Sequence, residues 1–139
     1  MSHDLRLLGA DDEDVLQRVA PGVFDGPVLP ERVREVLRDP RHHIVVAIDF
    51  GVVVGMVTAV HYVHPDKRPE LWIDEVGVGE GHRRRGLGRR MLERMLERGR
   101  ELGCTEAWVL TDAENAAANR LYAGSGGRSS WSIMYTFPL

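Results

Sequence analysis

Residues 77–92, GVGEGHRRRGLGRRML, combine cationic side chains with glycines in a way that could bind an anion. Five arginines lie between positions 83 and 90, in a chain whose formal net charge is −3. An arginine run is usually a solvated helix face or a nucleic-acid patch, but Gly86 and Gly88 would weaken such a helix. Where a glycine-bearing loop follows a strand and opens into a helix, the unpaired N–H groups of the first helical turn attract anions. The stretch therefore predicts a phosphate-binding loop, in which glycines let the main chain approach closely and arginines add charge.

Two common phosphate loops do not match this stretch. A Walker loop requires Lys-Ser or Lys-Thr after its last glycine, and a dinucleotide fingerprint requires a third glycine that is missing here. What does fit is Arg-x-x-Gly-x-Gly, formed by Arg83, Gly86 and Gly88, after the apolar residues Val76-Gly77-Val78.

A second motif lies downstream, after another predicted strand. Asn115-Ala-Ala-Ala118-Asn-Arg-Leu121-Tyr122, followed by Gly126, has the form N-x-x-A-x-x-L-Y-x-x-x-G. Together with Arg-x-x-Gly-x-Gly it resembles the GCN5-related N-acetyltransferases (GNAT), which bind acetyl-coenzyme A. One departure is Gly127, where that family commonly has a bulky apolar residue.

The GNAT resemblance implies a role for each matched position. The strand before the loop would hold the thioester carbonyl through a main-chain N–H, and Gly77 would let that strand bulge from its neighbour. Tyr122 would be the general acid that protonates the departing thiolate, since a phenol with a pKa near 10 stays protonated at neutral pH. A core aromatic is the alternative role for Tyr122. The positions implied to bind the cofactor are Val76, Gly77, Val78, Arg83, Arg84, Arg85, Gly86, Leu87, Gly88, Arg89, Asn115 and Ala118.

Two adjacent carboxylates, Asp74 and Glu75, lie in the apolar strand before the loop. Strand alternation predicts that they face opposite sides of the sheet. A carboxylate in so apolar a strand is costly unless it is paired or used. Either could therefore take a proton from an incoming ammonium, directly or through water, and the resemblance favours Glu75. A salt bridge from Glu75 to an arginine of the loop is the alternative.

The segment from Tyr62 to Arg84 resembles the small aminoglycoside 3-N-acetyltransferases of type I, the gentamicin- and fortimicin-acetylating branch. This resemblance implies transfer from acetyl-coenzyme A to the 3-amino group of an aminoglycoside, which is a polycationic antibiotic. Acidic residues would attract such a substrate; the candidates are Glu75, Asp112, Glu114 and Asp25. Helix capping is the alternative for Asp112 and Glu114, and a plain turn role is favoured for Asp25. Acetylation of a protein amine or a small metabolite by the same fold, and a nucleic-acid patch, remain competing hypotheses.

The rest of the sequence predicts the elements that position these residues. We expect one domain over residues 1–139 with an α/β (α+β) GNAT fold, in which helices flank a mixed central sheet with splayed middle strands. Predicted strands cover 5–8, both arms of a hairpin turning near 49–51, 71–78, 105–111 and 129–137; predicted helices follow 11–14 and Pro30 and cover 87–103 and 115–124. All three tryptophans, Trp72, Trp108 and Trp131, are expected in the core.

Composition limits the compartment and the partners. No apolar run approaches the length of about 20 residues that spans a bilayer, and the six histidines show no zinc-ligand spacing. A single cysteine, Cys104, excludes an internal disulfide framework and fits a cytoplasmic protein. We expect neither a nucleic-acid nor a membrane partner, and the GNAT resemblance implies a homodimer.

Overall fold

The structure, a computed structural model, describes residues 4–139 as a mixed α/β fold with a five-stranded sheet flanked by three α-helices. The strands follow one another in the order β1 to β5 across the sheet. They are β1 (Asp4–Leu7), β2 (His42–Asp49), β3 (Val52–Tyr62), β4 (Glu70–Val78) and β5 (Ala107–Val109). The helices are α1 (Pro30–Arg38), α2 (Leu87–Glu101) and α3 (Ala116–Gly124), with short 3₁₀ turns at Glu13–Gln17 and Glu80–His82.

Both faces of the central strands are buried. On one face, α2 packs Met91 and Met95 against Val45, Val57 and Leu71. The opposite face is covered by α1 and the first 3₁₀ turn. There, Leu16 of the turn and Val33 of α1 pack in one cluster with strand residues of β2 and β3, namely Val46, Val53 and Met56. Such double burial explains why β2 and β3 read as continuous β-branched runs in the sequence.

The predicted splay of the middle strands is confirmed. Strands β1 to β4 are antiparallel, and β5 is parallel to β4 after the crossover through α2. Only Leu71–Ile73 of β4 pairs with β5, whereas pairing with β3 continues as far as Val78. The main chain of β4 beyond Ile73 therefore has an open edge on the β5 side.

Two of the predicted elements are wrong. The helix expected after Asp11–Asp14 is a single 3₁₀ turn, because the chain that follows bonds to β3: Ala20 N–H donates to the Val53 carbonyl and Val53 N–H donates to the Arg18 carbonyl, each at 2.8 Å. The strand expected at 129–137 is absent: residues 128–139 form no helix or strand and pair with none of β1 to β5.

The tryptophans do not all lie in the core. Trp131 belongs to the unpaired C-terminal segment and is 91% exposed, so the prediction that it is buried is wrong. Trp72 and Trp108 are half-buried and stack with ring centroids 5.8 Å apart, and Trp108 donates a hydrogen bond to the Tyr62 hydroxyl. Between residues 4 and 139 no helix has the length and apolarity to cross a membrane.

Candidate active site

The loop between β4 and α2 presents main-chain N–H groups as an anion-binding loop would. Arg84 and Gly86 both have positive φ, at +64° and +74°, and such residues turn successive N–H groups towards a common concavity. Gly86 is the N-cap of α2, and no side chain caps the first turn, which also lacks an acidic residue. The first N–H groups of α2 have no acceptor within the helix, so they are available to an external anion.

The arginines of this loop are not equivalent. Arg83 donates through Nε to the Val78 carbonyl at 3.0 Å, which fixes the loop to the end of β4. Arg89 pairs with Glu93 one turn along α2. Arg84 and Arg85 are exposed. Arg83 thus holds the loop in place, Arg89 forms an ion pair within α2, and Arg84 and Arg85 face solvent.

The apolar residues of the loop serve packing through their side chains. Leu87 is buried in the core, so only its main chain could contact a ligand. A Cβ at Gly88 would lie 3.5 Å from Leu121, which places that side of the residue against α3. A Cβ at Gly86 would meet nothing within 4 Å. Gly86 is therefore favoured by its backbone conformation, whereas a Cβ at Gly88 would make only ordinary van der Waals contact with α3.

Gly77 has a steric role that the sequence did not reveal. A Cβ at this position would overlap the carbonyl oxygen of Val23, in the loop before α1. Gly77 pairs regularly with Met56, and the irregularity in the β3–β4 pairing lies between Thr58 and Ala59 instead. The bulge predicted at Gly77 is thus misplaced. The glycine instead lets the loop before α1 cross the open part of β4.

The displaced bulge brings the two adjacent carboxylates to one pocket. Thr58 pairs with Glu75 and Ala59 pairs with Ile73, so Asp74 is the additional residue of β4. Because a bulge interrupts strand alternation, Asp74 and Glu75 both line the same pocket, and the prediction that they face opposite sides is wrong.

This acidic pocket has a volume of about 440 Å³ and lies between α1, the loop before it, and strands β2 to β4. Its carboxylates are Asp25, Asp74 and Glu75. Burial raises the pKa of Glu75, and the charges of Asp74 and Asp25 raise it further. Asp25 therefore does more than form a turn, because it acts electrostatically on Glu75.

Two polar residues of the acidic pocket were missed by the sequence analysis. The Thr58 hydroxyl is buried and makes no hydrogen bond within residues 4–139. His43 is 5% exposed and shares a 2.8 Å hydrogen bond with His61; burial, with smaller contributions from His61 and Arg98, lowers the pKa of His43 to about 4. Neither residue belongs to a motif, since only the β2–β3–β4 pairing brings them to the pocket.

The other predicted acidic residues lie elsewhere. Asp112 and Glu114 are exposed in the connection before α3 and do not line the acidic pocket. The structure therefore brings together Asp25 and Glu75, not all four carboxylates. Neither Asp112 nor Glu114 provides the α3 cap, which comes from Asn115, whose side-chain oxygen accepts from the Ala118 N–H at 3.1 Å.

Helix α3 places Tyr122 partly inside the protein, packed against the core beneath α2. Burial raises the pKa of the Tyr122 phenol, which keeps it protonated at neutral pH. The helix ends in a Schellman turn: Gly126, at φ +96°, donates to the Ala123 carbonyl, and Gly127 donates to the Tyr122 carbonyl at 2.9 Å. A bulky residue after such a turn normally packs back on the helix, so Gly127 leaves this side of Tyr122 without a covering side chain.

Comparison with known proteins identifies the class of this fold and site. The model of the acetyltransferase (GNAT) family matches residues 13–126, and the chain belongs to that family. It is an acetyltransferase and uses acetyl-coenzyme A as its acetyl donor. No curated protein gives a significant match to the sequence.

Solved structures share the fold at low sequence identity. An aminoglycoside acetyltransferase, HMB0005, from an uncultured soil metagenomic sample is 22% identical with a TM-score of 0.85, and the alignment covers 100% of this chain and 99% of that one. A second, meta-AAC0020, from an uncultured soil metagenomic sample and in complex with sisomicin, is 17% identical with a TM-score of 0.82, covering 99% and 96%. The aminoglycoside N-acetyltransferase AAC(6')-Iy in complex with CoA is 20% identical with a TM-score of 0.77, covering 99% and 95%.

The described residues fit a coenzyme A molecule in two places. The uncapped first turn of α2, behind the positive-φ residues Arg84 and Gly86, suits a diphosphate. The open edge of β4 from Val76 to Val78 offers main-chain groups to an extended pantetheine arm. The predicted cofactor contacts at Asn115 and Ala118 form the α3 cap.

Proposed function

We propose that this acetyltransferase acetylates an amino group of an aminoglycoside antibiotic, and specifically the 3-amino group. The observation that carries the proposal is the acidic pocket, where Asp25, Asp74 and Glu75 line a space beside the open edge of β4. Aminoglycosides carry several ammonium groups, and three carboxylates would both attract such a polycation and orient one amine. The 3-amino position rests on the resemblance of the segment from Tyr62 to Arg84.

In this proposal Glu75 is the base that takes a proton from the incoming ammonium, directly or through one water. An amine must lose its proton before its nitrogen can attack a carbonyl. The raised pKa of Glu75 makes it a stronger proton acceptor near neutral pH than an ordinary carboxylate. Asp25 and Asp74 hold the neighbouring ammonium groups of the substrate.

The remaining roles belong to main-chain groups and to Tyr122. Bound acetyl-coenzyme A supplies an activated thioester. A main-chain N–H of the stretch from Val76 to Val78 stabilises negative charge on the carbonyl oxygen, and the loop around Gly86 holds the diphosphate. Tyr122 donates its phenolic proton to the thiolate; its raised pKa means that it is protonated and able to do so.

The test is a thiol-release assay with acetyl-coenzyme A and a panel of amines: gentamicin, sisomicin, a linear polyamine and a peptide with a free N-terminus. We expect turnover with the two aminoglycosides to exceed that with the other amines, and NMR of the product to show acetylation at the 3-amino group. Turnover confined to the peptide or the polyamine would instead establish the protein-amine or metabolite alternative. Acetylation at another aminoglycoside position would retain the substrate class and reject the regiochemistry.

A matched pair of variants tests the acidic pocket itself. Glu75→Gln keeps the shape of the side chain and removes the base, whereas Glu114→Gln removes an exposed carboxylate outside the pocket. General-base catalysis typically contributes about 10²- to 10⁴-fold, so we expect a loss of that order in kcat for the first variant and little change for the second.

The proposal also includes the cell compartment and the partners. We propose that the enzyme acts in the cytoplasm, where its acetyl donor is made, and that it protects the cell from antibiotic. Expression in a sensitive host should then raise the inhibitory concentration of gentamicin, and the Glu75→Gln variant should not. We propose no nucleic-acid partner, because Arg83 and Arg89 already make hydrogen bonds to other groups of the protein. Coenzyme A should displace any duplex oligonucleotide that binds the loop.

A further inference from the structure

The acidic pocket contains a hydroxyl group that has no hydrogen-bond partner. The Thr58 Oγ1 atom is buried, and it makes no hydrogen bond to any of residues 4–139. A buried hydroxyl without a partner costs stability, and most buried polar groups of folded proteins are paired. Among the described residues, the other such side-chain atom is Nε of Arg98, which does not line the pocket. The unpaired hydroxyl of Thr58 is therefore a property of the pocket that packing alone does not explain.

Strand β3 itself does not require a hydroxyl at this position. The strand contains five valines, and the residues beside Thr58 are Val57, Ala59 and Val60. Valine has nearly the shape of threonine, favours strands and carries no group that needs a hydrogen bond. A valine at position 58 would suit the strand at least as well, which points to a use for the hydroxyl outside the fold.

The register of the sheet places Thr58 beside Glu75. The two residues are directly paired between β3 and β4, and both line the acidic pocket. Directly paired side chains on one face have Cβ atoms about 4.5–5.5 Å apart, which is within the reach of a glutamate side chain. Of the described residues around the pocket, Thr58 alone has a hydroxyl. It is thus the hydroxyl donor available to the Glu75 carboxylate.

Glu75 requires such a donor when a substrate fills the pocket. In the described structure Glu75 is exposed, so water can solvate its carboxylate. A substrate in the pocket expels that water, and an ionised carboxylate without water is stabilised by a hydrogen bond to its charged form. Rotation about the side-chain bonds of Glu75 can bring the carboxylate to its cross-strand neighbour.

We propose that Thr58 is a positioning residue, whose hydroxyl donates a hydrogen bond to the Glu75 carboxylate once a substrate fills the pocket. The bond holds the carboxylate inward and ionised, so that it can take a proton from the substrate ammonium. Thr58 keeps its own proton, and the transferred proton ends on Glu75. Catalytic hydrogen bonds are often long or poorly aligned in free enzymes and tighten on binding. The inference rests on the proposed role of Glu75 as the base.

Other charged groups also face Glu75 from the elements around the pocket. Asp74 of β4 and Asp25 of the loop before α1 raise its pKa, after the larger effect of burial. The remaining titratable or charged residues of the lining are Arg32 of α1 and His42 and His43 of β2. A substitution at Thr58 leaves all of these groups in place, so a difference between variants at this position reports the hydroxyl.

The first experiment compares activity with stability in two variants. Thr58→Val removes the hydroxyl and keeps the shape, whereas Thr58→Ser keeps the hydroxyl and removes a methyl group. With the best substrate of the amine panel, we expect Thr58→Val to lower kcat about 10- to 100-fold, the effect of one hydrogen bond to a charged group. Thr58→Ser should retain most of the activity.

Thermal unfolding should rank the same variants in the opposite order. The Thr58→Val variant should melt at or above the wild-type temperature because it loses an unpaired polar group, and Thr58→Ser should melt below it. Thr105→Val is the matched control, since Thr105 is exposed and outside the pocket, and should leave kcat unchanged. A purely structural role predicts that activity follows stability in both variants, and that result overturns the proposal.

The second experiment measures the pH dependence of Thr58→Val. The kcat profile reports groups of the substrate complex, and the kcat/KM profile reports those of the free enzyme. Loss of a hydrogen bond to the ionised carboxylate raises the pKa of Glu75 in the complex, so the rise of kcat should move to higher pH by about one unit. The rise of kcat/KM should stay in place, because Thr58 has no partner in the free protein. A kcat profile that does not move contradicts the proposal.

The double variant Glu75→Gln/Thr58→Val separates this inference from the proposed function. We expect Glu75→Gln to lower kcat and the second substitution to add less than about twofold, because the hydroxyl acts through the carboxylate. If Glu75→Gln lowers kcat and Thr58→Val does not, Glu75 remains the base and the positioning role of Thr58 fails. If the two losses multiply in full, Thr58 acts apart from Glu75 and the inference also fails. An unchanged kcat in Glu75→Gln rejects both the base and its positioning residue.

Discussion

A negative charge at Gly86 should weaken coenzyme A binding without harming the fold. The structure makes Gly86 the suitable position, because a Cβ there meets nothing within 4 Å and the φ of +74° is one that asparagine and aspartate tolerate. Gly86→Asn and Gly86→Asp therefore share the same small backbone cost and nearly the same shape. They differ in one charge, placed at the N-terminus of α2.

The magnitude follows from Coulomb's law. A carboxylate about 5 Å from a diphosphate, at an effective dielectric constant of about 40, opposes binding by about 2–3 kcal/mol, or roughly 30- to 150-fold in Kd. The same carboxylate at a helix N-terminus should stabilise the free protein by about 0.3–1 kcal/mol. We thus expect Gly86→Asp to bind coenzyme A more weakly than Gly86→Asn while melting at an equal or higher temperature.

Isothermal titration with coenzyme A at low and high salt measures this difference. Salt should narrow the gap between the two variants, since exposed charges are screened. Gly81 is the matched control: a Cβ there also meets open space, in the 3₁₀ turn ahead of the loop, and the Asp and Asn variants at Gly81 should differ much less. Equal Kd values for Gly86→Asp and Gly86→Asn would refute the assignment of this loop to the diphosphate.

Three further predictions concern the acidic pocket and its surroundings. Tyr122→Phe should lower kcat about 10²-fold or more with coenzyme A affinity unchanged in titration; an unchanged rate removes Tyr122 as the acid. The kcat/KM should rise with pH through the raised pKa of Glu75. Asp25→Asn, which removes a neighbouring negative charge, should move that rise to lower pH; an unchanged pH profile would show that Asp25 does not act electrostatically on Glu75. The pKa of His43 falls from 6.5 to about 4 on folding. As the pH falls through that interval, His43 binds a proton in the unfolded state but not in the folded state, so the free energy of unfolding should decline. Urea unfolding should show His43→Gln removing up to about 3 kcal/mol of this decline, and an identical pH dependence in the variant would contradict the assignment.

Local patterns in the sequence were sufficient for most of the elements. The β-branched runs of β2 and β3, the apolar stripe of α2 and the start of α3 near Asn115 each depend on near neighbours in the chain. The conformation of the loop between β4 and α2 belongs to this group as well, because the glycine that permits a positive φ and the helix that follows it are adjacent in sequence. The GNAT resemblance rested on the same local motifs, and the family match confirmed it.

What the sequence could not determine depends on contacts between distant segments. The bulge opposite Thr58 decides that Asp74 and Glu75 share a pocket, and it arises from the pairing of β3 with β4, not from either strand alone. The same holds for Gly77, whose missing side chain makes room for Val23, and for Asp25, which reaches Glu75 only because the loop before α1 crosses β4. The segment from Trp131 to Leu139 shows the converse case: its alternation specifies a strand, but a strand forms only where another supplies its hydrogen bonds. Local sequence sets conformational preference, and the tertiary structure decides which distant groups meet.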